Sequence, residues 1–352
     1  MSPLRRALLL ALPVCGAAAR AGEIRRGRPL VFPQDHGAHP AARTEWWYAT
    51  GWLGSEAAPT SGFQITFFRS RTGLAAGNPS RFAARQLLFA HAAVTTLGSR
   101  PTHRHEQRIV RWSGAADAAL GAAASGDAAL RLGPWTLRHD QGLWQVQAAA
   151  EGFTLALQLQ RTQPLLLQGD AGFSRKGPEE RQASHYYSEP QLAVRSGTGE
   201  TGRAWLDHEW SEEILHPQAV GWDWIGINLF DGSALTAFVL RRRDGSALWA
   251  GGSFRRAGTQ AAQVFGADDV RFMPERHWAS PASNARYPVQ WRIDTPAGRF
   301  GLRALLDAQE LDGRGSTGSV YWEGISELLD AAGRRIGLGY LEMTGYAAPL
   351  KL

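Results

Sequence analysis

Trp135-Thr136-Leu137-Arg138-His139-Asp140-Gln141-Gly142-Leu143-Trp144-Gln145-Val146-Gln147-Ala148-Ala149-Ala150-Glu151-Gly152-Phe153-Thr154-Leu155-Ala156-Leu157-Gln158-Leu159 decides the fold. Trp135, Leu137 and His139 alternate with polar residues. Trp144, Val146 and Ala148 repeat the pattern, and so do Phe153, Leu155, Leu157 and Leu159. Side chains two apart share one face of a strand, so this is a meander of half-buried strands. Asp140-Gln141-Gly142 and Glu151-Gly152 separate them as turns. The second half is written the same way. Ile225, Ile227 and Leu229 lead to Asp231-Gly232, and Leu235, Ala237 and Val239 lead to Asp244-Gly245. Val289, Trp291 and Ile293 lead through Pro296-Ala297-Gly298 to Phe300, Leu302 and Ala304. Asp-Gly between alternating runs marks a hairpin, because its tight turn needs positive φ. Helical patterns are scarce: the alanine-rich stretch 115–129 is broken by Gly121, Ser125 and Gly126. The chain is predicted to be all-β with few helices, its sheets closed as barrels or sandwiches that hide their edges.

The start of the chain reads as an export signal. Arg5 and Arg6 precede a short apolar run from Ala7 to Ala19, and small residues offer cleavage sites by Ala21. Residues 1–21 are predicted to be a signal peptide, which places the mature chain in the periplasm or outside the cell. No later run is apolar and long enough for a spanning helix. Cys15 is the only cysteine and would leave with the signal, so stability must come from packing rather than disulfides. The length predicts two domains. Polar, glycine-bearing stretches at 169–183 and 195–203 are candidate linkers. The division is drawn as 22–190 and 191–352.

The net charge is +6, and its basic residues are scattered. Arg241-Arg242-Arg243 adjoins Asp244-Gly245 and reads as a solvated turn. No basic stripe or recognised module predicts a nucleic-acid partner. Gly197-Thr198-Gly199-Glu200-Thr201-Gly202 and Gly313-Arg314-Gly315-Ser316-Thr317-Gly318 match the dinucleotide fingerprint in letters. Neither opens a helix within a βαβ unit, as phosphate binding requires. His36 and His39 lie in a Gly/Pro turn with no third ligand beside them, so no metal or organic cofactor is predicted. His103 and His105 are expected in a solvated loop, and His91 as a satisfied core residue.

Aromatic rings interleaved with ionisable groups recur in four places. They are Thr44-Glu45-Trp46-Trp47-Tyr48-Ala49-Thr50-Gly51-Trp52, Trp205-Leu206-Asp207-His208-Glu209-Trp210, Trp222-Asp223-Trp224 and Tyr321-Trp322-Glu323. His185-Tyr186-Tyr187-Ser188-Glu189 repeats the logic. A tryptophan must be covered while its N–H finds a partner, so such density walls a core seam or an apolar pocket. On a strand Asp207 and Glu209 point one way, and His208 points the other with Leu206 and Trp210. Burial raises a carboxylic acid's pKa and lowers a histidine's, bringing both toward neutrality, where acid–base chemistry works best.

Phe32-Pro33-Gln34-Asp35-His36-Gly37-Ala38-His39-Pro40, the Glu45–Leu53 run, His185–Ser188, Gly202–Trp210, Gly221–Trp224 and Gly339–Tyr346 together resemble the AttH-like family of secreted lipocalin-like proteins. That family is related to carotenoid 1,2-hydratases (hydroxyneurosporene synthases). The resemblance implies two lipocalin-like antiparallel β-barrels packed together, with an apolar ligand site in or between them. It implies hydro-lyase chemistry: water added to an isolated carbon–carbon double bond of an isoprenoid. Asp207, His208 and Glu45 are then the candidates for proton transfer. Trp46, Trp47, Tyr48, His185, Tyr187, Glu209, Trp210, Trp222, Trp224, Tyr321 and Trp322 are the candidates for the ligand wall. Two other classes stay open: a lipid or isoprenoid carrier serving an ABC transporter with peripheral membrane contact, and a hydrolase using activated water.

Overall fold

The computed structural model describes residues 24–74, 77–80, 82–115 and 118–350. The expected signal peptide lies outside the described residues. Apart from the 3-10 turn Gln34–His36, the regular elements are strands. The first sheet contains β1 (Thr44–Gly54), β2 (Pro59–Arg71), β3 (Gln86–Thr96), β4 (Thr102–Trp112), β5 (Gly121–Ala123), β6 (Ala129–Leu132), β7 (Trp135–Asp140), β8 (Leu143–Ala150), β9 (Phe153–Gln160), β10 (Leu166–Leu167), β11 (Phe173–Arg175), β12 (Ala183–Ser196) and β13 (Thr201–Ser211). The second contains β14 (Ala219–Leu229), β15 (Ala234–Arg242), β16 (Ala247–Arg255), β17 (Gln263–Phe265), β18 (Arg271–Ala279), β19 (Arg286–Thr295), β20 (Gly298–Ala304), β21 (Glu310–Gly313), β22 (Ser319–Leu329) and β23 (Arg335–Met343).

The β7–β8–β9 meander forms as the alternation predicts. Asp140 pairs with Leu143 across a two-residue turn. Gln141 (φ 48°) and Gly142 (φ 84°) both lie in the left-handed region, as a primed hairpin turn demands. Trp135, Leu137, Trp144, Val146, Leu157 and Leu159 are buried in the first core.

The first sheet runs β4-β3-β2-β1-β13-β12-β9-β8-β7-β6-β5, and β10 and β11 also pair with β12. Its ends meet: Gly121 of β5 sits so close to β4 that a Cβ there would come 2.7 Å from Val110 Cγ2. The sheet is thus a nearly closed barrel. The second sheet runs β17-β16-β15-β14-β23-β22-β20-β19-β18, with β21 against β22. It curls around Ile225, Ile227, Leu235, Val289, Ile293 and Leu302. A third buried cluster forms the seam between the sheets, with Tyr48 and Trp205 from the first meeting Trp224, Phe238, Ile325 and Tyr340 from the second. Gln191 and Asn228 tie the sheets polar to polar: Asn228 Oδ1 accepts the Gln191 backbone N–H (2.7 Å), and its Nδ2 donates to Ala204 O (3.0 Å).

Several expectations are corrected. The division at 190/191 falls inside β12. Because β13 pairs with β1, the chain leaves the first sheet only between Ser211 and Ala219. The stretch 195–203 is the β12–β13 hairpin, not a linker, and both glycine fingerprints are hairpin turns. Arg241 is not solvated. Its guanidinium is buried against Asp223 (2.8 Å) and stacks 3.9 Å from the Tyr346 ring. His103 and His105 lie on β4 rather than in a loop, and His103 Nδ1 meets Thr95 Oγ1 at 2.9 Å. No helix among the described residues is long and apolar enough to cross a membrane.

The left-handed turn yields a direct test. Gly142→Val forces a β-branched residue into positive φ, which costs about 1–2 kcal/mol. Urea unfolding should show that loss, whereas Gln141→Asn, which suits the same region, should leave stability equal or higher.

Candidate functional site

The pairing of β1 with β13 sorts the candidate residues. Trp46 lies opposite Glu209 and Tyr48 opposite Asp207; Glu45 lies opposite Trp210 and Trp47 opposite His208. Strand alternation sends the first set toward the second sheet and the second set away from it. The candidates are therefore two groups on two faces.

The first group lines a cavity of about 300 Å³ at the seam. Trp46, Tyr48, Asp207 and Glu209 reach it from the first sheet, and Trp222, Trp224, Tyr321, Glu323 and Glu342 from the second. Phe68, Phe89, Phe238 and Leu240 add apolar wall. Asp207 is 3% exposed. Its Oδ2 accepts from Tyr186 Oη (2.7 Å), and its Oδ1 accepts from Trp205 Nε1 (2.7 Å) and the Ser188 hydroxyl. Burial pushes the Asp207 carboxyl up to about 7, even though the Ser188, Tyr186 and Trp205 donors pull it back. Trp224 Nε1 in turn donates to Tyr186 Oη (3.3 Å).

Glu209 is paired differently. Lys176 Nζ sits 3.0 Å from its Oε1, and the Ser184 hydroxyl donates to the same oxygen. The Lys176 ammonium also lies 4.2 Å from the Phe238 ring centre and 4.7 Å from that of Tyr186. Glu323 and Glu342 are direct cross-strand partners. Burial first, then the neighbouring carboxyl, raises Glu323 far above the usual carboxylate range. Burial raises Glu342 as well, with the Trp222 indole working the other way. Like charges directly opposite repel across a ladder, which disfavours ionising both carboxyls at once. Tyr48 Oη and Glu323 Oε1 are buried, and the two side chains approach each other without forming a well-aligned hydrogen bond.

The second group forms an ionic lattice on the other face of the β1–β13 ladder, and its Glu45 and Arg69 also border the seam cavity. Glu45 takes Arg69 Nε on Oε2 (2.7 Å), and on Oε1 meets His39 Nδ1 (2.7 Å) and His208 Nε2 (3.0 Å). Burial opposes its charge, but the His208 and His39 bonds and Arg69 hold the Glu45 carboxyl well below the ordinary range. Burial lowers the His208 pKa, with Glu45 working against it. His208 stacks on Trp47, ring centres 4.5 Å apart, and His39 stacks on Trp210 at 3.7 Å. Tyr187 Oη meets His36 Nδ1 at 2.6 Å, and His185 Nε2 accepts the Arg25 backbone N–H. Trp322 packs in the second core and donates to Asp307 O (2.7 Å). So His208, Trp47, Trp210, Tyr187, His185 and Trp322 do not line the cavity with Asp207 as expected, while Glu45 borders it with its carboxylate tied to Arg69 and the histidines. His91 is satisfied as expected, between Tyr321 Oη and Ser316 Oγ (2.6 Å each).

Two sets of side chains among the described residues could hold a metal: His36–His139–Glu189 and His39–Glu45–His208. An arginine already serves each. Arg161 Nε donates to Glu189 (2.6 Å) and its Nη2 lies 3.2 Å from His36 Nε2. Arg69 serves Glu45. Sequence reasoning missed Lys176, Tyr186, Ser188 and Glu342, and left Glu323 unassigned. The signal for Glu323 was present, because period two puts Tyr321 and Glu323 on one face and Trp322 on the other.

Two curled antiparallel sheets with an acid-bearing apolar cavity at their seam define an all-β, double-sheet class of protein. Within it the chain belongs to the AttH-like family, whose profile matches residues 23–346. It is similar to a putative AttH from Nitrosomonas europaea, with 42% identity over 92% of this chain and 99% of that one and a TM-score of 0.80. Kievitone hydratase from Nectria haematococca shares the fold at 14% identity (91% and 94% of the two chains, TM-score 0.61). So does CghA, solved with Sch210972, at 14% identity (90% and 94%, TM-score 0.52). No curated protein matches the sequence.

Glu45→Gln should lower unfolding free energy by about 3 kcal/mol, because it leaves Arg69 buried without its counter-charge. Asp207 makes a prediction of opposite sense. The native carboxyl keeps its proton to about pH 7, while the ordinary value is 3.8. Its contribution to stability is complete below the lower value and is lost as pH rises through the higher. The melting-temperature advantage of Asp207→Asn over wild type should therefore grow between these limits and level off above them.

Proposed function

We propose that the seam cavity binds a long apolar molecule, an isoprenoid or a lipid, and performs hydro-lyase chemistry on an isolated carbon–carbon double bond. The observation that carries this reading is Asp207: a buried carboxyl held near neutral pKa among aromatic faces. The Asp207 O–H gives its proton to one alkene carbon, and the π electrons form the new C–H bond. The neighbouring carbon is left as a tertiary carbocation. The faces of Tyr48, Trp222 and Trp224 offer it the negative side of their quadrupoles. A water oxygen bonds to the cation, and the proton it sheds returns to the Asp207 carboxylate. The cycle consumes no oxidant, and water is its only co-substrate.

Glu45 and His208 have a different part in this reading. They brace β1 against β13 from behind and hold the strand that carries Asp207. Kievitone hydratase, by its name, catalyses a hydration, and its likeness in fold lends the reading an analogy rather than a proof of shared chemistry. A carrier serving an ABC transporter would need the apolar wall but not the acids, and a hydrolase would need a polar substrate group that this wall does not favour. The pattern from Arg5 to Ala21 supports work in the periplasm or outside the cell, where peripheral contact with the membrane would deliver an apolar substrate.

Incubation of acyclic isoprenoids in heavy-oxygen water tests the reading. Wild type should place the label in an alcohol product, and Asp207→Asn should lower the rate at least about 100-fold, the usual worth of a general acid. His208→Gln should reduce stability far more than turnover. The rate should fall as pH rises through about 7, where the acid loses its proton. An unlabelled product pool with intact ligand recovered from the protein would leave a carrier.

A further inference from the structure

The seam cavity contains one ammonium group already, and the way it is held is instructive. Lys176 is one of only two lysines in the chain. Its Nζ is paired with Glu209 and lies over the faces of Phe238 and Tyr186. A carboxylate on one side and π faces on the other is the chemistry that recognises an alkylammonium. The opposite wall repeats it without a cation. Glu323 and Glu342 lie side by side, and the Tyr48 and Trp224 rings meet edge to face, centres 5.3 Å apart. No cation among the described residues pairs with Glu323 or Glu342, and Glu323, 2% exposed, meets the Tyr48 hydroxyl without a well-aligned hydrogen bond.

We infer that the cavity takes an apolar molecule bearing an ammonium group, which Glu323, Glu342, Tyr48 and Trp224 receive. This deepens the proposed function and rests on its reading of the seam cavity as the ligand site. An entering cation supplies the charge that Lys176 gives to Glu209 alone, and it allows the glutamate pair to ionise. A carboxylate-headed ligand meets the opposite: Asp207, Glu209, Glu323 and Glu342 all line the same space. A bare metal ion is also disfavoured. The metal-capable sets among the described residues lie elsewhere. The same surroundings suit a carbocation, so a fixed ammonium on an apolar skeleton would mimic the proposed intermediate and bind more tightly than the neutral alkene.

Titrating the full chain with octyltrimethylammonium, octanol and octanoate at one ionic strength, followed by tryptophan fluorescence and calorimetry, tests this. The ammonium should bind at least about 10-fold tighter than the alcohol, as a desolvated cation–π and carboxylate site allows, and octanoate most weakly. Glu323→Gln and Glu342→Gln should each narrow the gap between ammonium and alcohol. The wild-type comparison of head groups stands even where a variant folds poorly. Equal affinity for alcohol and ammonium, or a preference for octanoate, overturns the inference and leaves the cavity as a ligand site. Calcium alone binding to wild type but not to Glu323→Gln overturns it in favour of a metal. Failure of all three amphiphiles to bind overturns both the inference and the reading of the cavity beneath it.

Discussion

The pairing of β1 with β13 is the constraint on which the rest depends. It joins segments more than 140 residues apart in register, so that Tyr48 faces Asp207 and Trp47 faces His208. Two rows of side chains then leave the same two strands in opposite directions. The row facing the second sheet carries the neutral-range acid and the aromatic wall. The row facing away carries Glu45, Arg69 and the histidines. A slip of one residue would exchange the rows, placing an ion lattice in the cavity and the acid behind it. The lattice therefore does more than occupy space. Its charge-assisted bonds from β2 and from the 35–39 turn to Glu45 and His208 are geometrically specific, and they are lost by any shift in register.

The two faces also divide the electrostatics. Glu45 is as buried as Asp207, yet the two carboxyls move in opposite directions from their ordinary values. Burial raises both. What differs is the partner: Glu45 meets a guanidinium and two imidazoles, whereas Asp207 meets only neutral donors from Ser188, Tyr186 and Trp205. Neutral donors orient a carboxyl without fixing it as an anion. That combination leaves Asp207 both held in place and able to exchange a proton near neutral pH.

Much of the architecture was legible because strands with one buried face alternate. Trp135, Leu137, Trp144 and Val146 entered the core as read, and Gly142 took the positive φ its turn required. The opposition of Asp207 and His208 followed from the same rule. What alternation cannot encode is the partner of a strand. Nothing local in Thr201–Ser211 says that it joins β1 rather than the strands that follow it, so the domain division was placed too early. Lys176 lay in a stretch that looked like a linker, and Arg241 in a run that looked solvated. Both were misread because a single cation is buried only when a distant carboxylate and a ring arrive to meet it.

The seam explains why the acids gather there. Inside either sheet a carboxyl must displace hydrocarbon and find a full set of partners, as Glu45 does. Between two separate cores, the surfaces need only meet at their rims, and the middle can remain open. Tyr48, Trp224, Phe238 and Tyr340 seal the junction with apolar area, while the space they surround leaves Glu323 Oε1 and Tyr48 Oη without a well-aligned hydrogen bond. A protein that only needed to join two sheets would have filled that space with aliphatic side chains and gained their burial, about 25 cal/mol for each Å² removed from water. Retaining buried, imperfectly bonded oxygen there instead sacrifices stability, and a molecule that enters and satisfies those atoms restores it.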